Sequence, residues 1–108
     1  MKCPKCETST LKPIVIKETE VDRCKTCGGV WCDEQELIAL LDLKKRELRP
    51  LAGKENELLN TKRGECPRDG SGLLRVYSPA NPKIIIDACL TCQGVWLDGG
   101  ELLQLLEP

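Results

Sequence analysis

Apolar residues along the 108-residue chain fall into short runs of two different periods, and the order of the runs repeats. Ile14-Val15-Ile16-Lys17 and Glu20-Val21-Asp22-Arg23 are strand-like and flank a polar turn at Glu18-Thr19. Leu73 to Tyr77 and Lys83 to Asp87 do the same around Ser78-Pro79-Ala80-Asn81-Pro82. Each arrangement predicts a β-hairpin. A third short strand is expected through Val30-Trp31, and again through Val95-Trp96.

After each Trp the period becomes helical. Asp33 followed by Glu36, and Asp98 followed by Glu101, place carboxylates where the free N–H groups of a first helical turn need acceptors. This is a variant of the capping box, which usually starts on Ser or Thr. Leu37, Leu40, Leu41, Lys44 and Leu48 continue at helical spacing, with Pro50 as the expected stop. The second helix, Glu101 to about Leu106, sets Leu102, Leu105 and Leu106 on one face. The polar stretch from about Arg49 to Gly64 reads as a connector with one helical turn near Glu55 to Leu59. The expected division is 1–48, ribbon and helix; 49–64, connector; and 65–108, ribbon and short helix.

The repeat is explicit in the residues. CPKC at 3–6 answers to CPRD at 66–69, an offset of 63, and CKTCGGVWCDEQEL at 24–37 answers to CLTCQGVWLDGGEL at 89–102, an offset of 65. The second copy thus carries two extra residues between its half-motifs, an insertion expected in a loop.

Composition then narrows the chemistry. With two Trp, one Tyr and no Phe, the core must rest on Val, Ile and Leu, and a chain this short needs a further source of stability. No apolar run approaches the roughly 20 residues of a membrane span. The absence of histidine excludes His-based acid–base and triad catalysis. Sixteen Lys and Arg against 17 Asp and Glu leave a net charge of -1, without the basic excess of a nucleic-acid binder. The start, Met1-Lys2-Cys3-Pro4, lacks the apolar stretch of a secretory leader, which points to a reducing cytoplasm, where clustered cysteines are metal ligands more often than disulfides.

Cys3 and Cys6, 17 intervening residues, then Cys24 and Cys27 form a C-x2-C…C-x2-C pattern. A tight turn aims two sulfurs at one ion and the hairpin brings the second pair back to complete a tetrahedron. Gly28-Gly29 supplies unhindered backbone at that turn. Zinc suits four thiolates best, with iron the next choice. Disulfides in an exported chain and redox-active CxxC pairs are the competing readings. In the second copy Cys66, Cys89 and Cys92 align with Cys3, Cys24 and Cys27, while Asp69 stands where Cys6 does. A carboxylate is a sound zinc ligand, so Asp69 is taken as the fourth, against a plain Asp-Gly turn at a lost site. Two zinc ions are expected, the second held more weakly because an oxygen replaces a soft thiolate. Cys32, matched by Leu97, is expected to be a small buried hydrophobe.

The CPKC…CKTCGGVWCDEQEL and CPRDG…CLTCQGVWLDGGEL stretches resemble the TFIIB-like zinc ribbon of prokaryotic proteins, the transcription factor zinc-finger domain. The resemblance spans roughly 1–42 and 65–106. It implies a small metal-stabilised α+β fold: two zinc ribbons of three antiparallel strands, each followed by a helix. It also implies metal binding through Cys3, Cys6, Cys24 and Cys27, and through Cys66, Cys89 and Cys92 with Asp69 as a departure. A link to transcription comes from the family name alone.

Three functions compete. A protein-interaction module fits the low basicity, the lack of catalytic groups and the Leu-rich helices. Their leucines pack within the chain, or else form a homodimer seam or meet a partner groove. Nucleic-acid binding would use Lys44-Lys45-Arg46 with Arg49, and Lys62-Arg63 with Arg68, clusters that read first as solvated surface. Tyr77 alone is left for base stacking, because Trp31 and Trp96 read as core. A zinc-release redox switch, in which thiolates oxidise once metal leaves, is the third, and catalysis at a closed four-ligand site is not expected.

Overall fold

The computed structural model describes residues 1–78 and 81–106. Among the described residues, six antiparallel strands form one continuous sheet in the order β1-β2-β3-β6-β5-β4. The strands are β1 Lys12–Ile16, β2 Thr19–Arg23, β3 Val30–Asp33, β4 Leu74–Tyr77, β5 Ile85–Ala88 and β6 Gly94–Leu97. Each copy of the repeat supplies three. The copies join where β3 pairs with β6, with Trp31 opposite Trp96. That seam explains the residues of VWCD and GVWL, which run buried on both faces instead of alternating.

The first hairpin turns on Lys17-Glu18, one residue earlier than the pattern predicts. A two-residue hairpin loop needs positive φ, and Lys17 and Glu18 adopt it at 46° and 70° without the usual Gly or Asn. In the second hairpin Tyr77 pairs with Ile85 across a longer tip, and Pro79 and Ala80 of the expected turn lie outside the described residues. The registers also resolve the two-residue insertion. Ile14 pairs with Val21 and Val76 with Ile86, so the second copy has lost one residue between knuckle and hairpin and gained three at the hairpin tip.

One sheet face carries an aliphatic cluster of Ile16, Val21, Val30, Leu40, Ile86 and Leu97, joined by Leu residues of the helices. Cys32 lies fully buried in it, as its pairing with Leu97 in the repeat predicts, and burial pushes its thiol up to about 12. The other face carries Trp31 and Trp96 with the knuckle cysteines, Leu11 and Leu73.

Helix α1, Glu34–Leu41, starts on the expected capping box: the Glu36 N–H donates to Asp33 Oδ1 at 2.7 Å and the Asp33 N–H to Glu36 Oε1 at 2.9 Å. The stripe predicted to run on to Leu48 is broken. The chain leaves the helix at Asp42 and resumes as a 3₁₀ helix over Lys45–Leu51, with Pro50 inside it rather than at its end. The break lets Leu48 and Leu51, 0% and 2% exposed, reach the core from a new direction. One turn of helix, α2, follows at Glu57–Asn60, capped by Asn56 Oδ1. The last helix, α3, spans Glu101–Leu105 and does not use the Asp98 carboxylate as its cap. Gly100 at φ 88° makes the turn, and the Glu101 carboxylate takes the Asp98 N–H at 2.6 Å.

Candidate metal centres

Each knuckle is a tight turn before β1 or β4, and each second cysteine pair sits between the hairpin and the central strand. The first turn places Glu7 at φ 62° and the second Gly70 at φ 79°, while the later turns hold Gly28 at 77° and Gln93 at 63°. The two left-handed positions therefore carry one Gly in each copy, at opposite turns. Cys24 N–H donates to Gly29 O and Cys89 N–H to Gly94 O, both at 2.9 Å, which locks the second pair against the sheet.

Cys3, Cys6, Cys24 and Cys27 converge, and so do Cys66, Asp69, Cys89 and Cys92, with ligand atoms within 4.8 Å of one another in each group. The Sγ atoms of Cys3 and Cys27, and of Cys24 and Cys6, are 3.8 Å apart. A zinc–sulfur bond of about 2.3 Å sets tetrahedral edges of about 3.8 Å, so the first group fits the ion. The cysteines are free thiols, which removes the disulfide pairing as a reading of these distances. In the second group Cys66 and Cys92 Sγ are 3.6 Å apart, and Asp69 Oδ2 lies 3.5 Å from Cys89 Sγ. An oxygen at about 2.1 Å and a sulfur at about 2.3 Å from zinc would stand about 3.6 Å apart. Asp69 divides its oxygens: Oδ1 takes the Ser71 N–H at 2.8 Å, which leaves Oδ2 to face the sulfurs. The two clusters thus fit two zinc ions, the second with the less usual donor set.

Backbone amides prepare the sulfurs for charge. The Cys6 N–H donates to Cys3 Sγ at 3.3 Å, Cys27 N–H to Cys24 Sγ at 3.5 Å, and Arg68 N–H to Cys66 Sγ at 3.4 Å. Burial and the neighbouring thiols nevertheless push Cys6 up to about 11, and the Cys3 thiol, followed by burial, raises Cys27. In the second cluster burial lifts Cys66 to about 12. Cys89 goes the other way, because the N–H groups of Cys92 and Thr91 outweigh its burial. The Ser71 amide holds Asp69 low. Cys6, Cys27 and Cys66, held this way, keep their protons until a cation displaces them, so zinc uptake releases protons.

No sequence pattern hints at the ion cluster that joins the first knuckle to the second ribbon. Lys5, the variable residue of CPKC, is 1% exposed, and its Nζ lies 3.3 Å from both Asp87 Oδ2 and Asp98 Oδ2. It also donates to Leu59 O at 2.8 Å and to Asn60 O at 3.3 Å. Asp98 Oδ1 accepts from Trp96 Nε1 at 3.0 Å. Burial raises Asp87 to about 6 despite the lysine. A lysine of the first knuckle, the connector helix and two aspartates of the second ribbon are thereby tied together. Between the copies the tryptophans are exchanged as well. A Cβ on Gly29 would lie 2.1 Å from Trp96 Cζ2, and one on Gly94 2.1 Å from Trp31 Cζ2, so each indole packs on the glycine of the other copy.

No curated protein and no solved structure matches the chain. The model of the transcription factor zinc-finger family, a TFIIB-type zinc ribbon, matches residues 2–43 and again residues 65–108. Two convergent ligand clusters, two three-stranded ribbons and this match over most of the chain agree: the protein belongs to the transcription factor zinc-finger family, as two tandem zinc ribbons.

Proposed function

We propose that the protein is a cytoplasmic protein-interaction module, associated with transcription, whose two zinc ions are structural. The observation that carries this reading is that four side chains converge in each cluster, which leaves a tetrahedral ion no position for substrate or attacking water. What the fold then offers is surface. Val15, Ile38, Leu58 and Tyr77 are exposed large hydrophobics away from both metal centres, and Leu90 is exposed on the turn between Cys89 and Cys92. Some basic side chains are engaged at home: Lys62 donates to Lys5 O at 2.9 Å and pairs with Glu7 at 3.0 Å, and Lys17 pairs with Glu47 at 3.5 Å.

The test is affinity capture from native lysate with zinc-loaded protein, with and without nuclease. Protein partners that survive nuclease are the expected result. Loss of every partner on nuclease treatment, with binding that falls steeply as salt is added, would replace this reading with nucleic-acid binding.

A further inference from the structure

The repeat builds two equivalent grooves on the aliphatic face, and the chain fills one of them itself. The first lies between α3 and the hairpin of β1 and β2. The connector runs along it: Arg23 Nη2 donates to Ala52 O at 3.1 Å, Glu47 pairs with Lys17, and Gly53 packs against Gly28 and Gly99. Leu48 and Leu51 of this segment are the buried anchors.

The second groove lies between α1 and the hairpin of β4 and β5, and among the described residues no segment covers it. Leu37, Ile38 and Leu41 face Val76, Ile86 and Leu90 across a cavity of about 560 Å³. Three positions differ from the first groove, one in exposure and two in side-chain chemistry. Ile38 is 60% exposed, whereas its counterpart Leu103 is packed against the core. Leu90, 71% exposed, stands where the first copy has Lys25. Ala88 stands where the first copy has Arg23, so the cation that holds the connector is missing here. Among the described residues the lining carries one Asp or Glu, the exposed Glu34, and no Lys or Arg.

Resting on the interaction reading above, we propose that this second groove is the docking site for a partner protein's short helical turn bearing two leucines flanked by basic residues. The chain's own occupant of the first groove is the template: KKRELRPL supplies Leu48 and Leu51 with Lys44, Lys45, Arg46 and Arg49 around them. Cations on such a segment complement Glu34, which Arg23 has no counterpart to oppose. A second copy of the chain does not offer this segment, because its Leu48 and Leu51 are already buried at home.

The probe is a synthetic peptide of residues 44–52, titrated into the full zinc-loaded chain and followed by nuclear magnetic resonance. Saturable shifts at Ile38, Leu41, Leu90 and Val95 are expected. The double variant Ile38→Lys, Leu90→Lys alters two exposed residues and should keep the parent's spectrum elsewhere while weakening the peptide at least tenfold. A peptide with both leucines changed to Ala should not bind. No shifts at millimolar peptide, shifts confined to Arg23, Gly28 and Gly99, or unchanged affinity in the double variant would overturn the proposal. So would self-association that the double variant abolishes, which would give the groove to a second copy. The same variant separates the two readings in the capture experiment. Nuclease-resistant partners held equally by parent and variant sink the groove and leave the interaction module standing, whereas no such partner for the parent chain sinks the module itself.

Discussion

The first and second ribbons place acidic side chains at the same two positions and use them in opposite ways. In the first, Asp33 caps α1, and Asp22 lies at the partly exposed end of β2. In the second, Asp98 turns away from its helix to hold Lys5 and Trp96, and Asp87 is buried beside it. The knuckle residues are reversed in the same sense: Lys5 crosses into the second ribbon, while its counterpart Arg68 stays exposed. Even the indoles follow, since Trp96 Nε1 has its aspartate and Trp31 Nε1 is buried without an acceptor among the described residues. A duplicated sequence thus yields unequal halves. One donates a cation and is covered by the connector; the other receives the cation and keeps an open groove.

The largest test of this inequality is metal removal. Complete chelation should unfold the chain, since structural zinc supplies on the order of 10–16 kcal/mol of folding free energy. The Asp69 site should empty first, and Asp69→Cys should bring the two release rates together. Metal-resolved native mass spectrometry reads both, and equal rates in the parent chain would remove the difference between the sites.

Next in size is the buried lysine. Lys5→Met leaves Asp87 and Asp98 facing each other without their cation and should cost about 3–5 kcal/mol in denaturant melts. Arg68→Met, at the equivalent position, should change stability by less than about 0.5 kcal/mol. Similar costs for the two would mean that the ribbons are energetically alike.

The glycines should behave symmetrically. Gly29→Ala and Gly94→Ala each drive a methyl into the other ribbon's indole and should each cost about 3 kcal/mol, with altered Trp fluorescence. Gly72→Ala, where a Cβ meets nothing within 4 Å, is the control. A large effect from only one of the seam glycines would break the exchange of tryptophans.

A dependence on pH is expected as well. Burial, reinforced by Asp98 and Asp87, raises Glu101 to about 8 from its usual value near 4.5. The fold therefore favours the protonated acid, and the stability it contributes is full below about pH 4.5 and lost as pH rises through 8. Glu101→Gln keeps an acceptor for the Asp98 N–H, so the variant should melt higher than the parent above pH 8 and show a flatter profile.

The convergence of both clusters could be read from spacing, because a CxxC turn at each foot of a hairpin leaves sulfurs few places to go. Asp69 was legible for the same reason, from its place in the repeat. Cys32 was legible through Leu97, an apolar residue at a matching site. The rest depends on contacts between the copies, which no local period records. Lys5 looks like any polar residue of a knuckle until the strands bring Asp87 and Asp98 beneath it. The helical stripe through Leu48 was real as a set of buried leucines, but two segments of different direction deliver them. Asp98 matched Asp33 in sequence and departed from it in role because a buried cation outcompetes a helix cap for its oxygens.

The pairing of β3 with β6 also bears on synthesis. These strands lie some 65 residues apart, so the seam closes a long loop and forms only after the second ribbon has been made. Until then the outer edge of β3 lacks its partner and Trp31 lacks the indole opposite it, which leaves a template on which another nascent chain can pair. Crowded translation of this chain therefore favours strand exchange between molecules, and the tandem arrangement limits it by keeping the correct neighbour on the same chain.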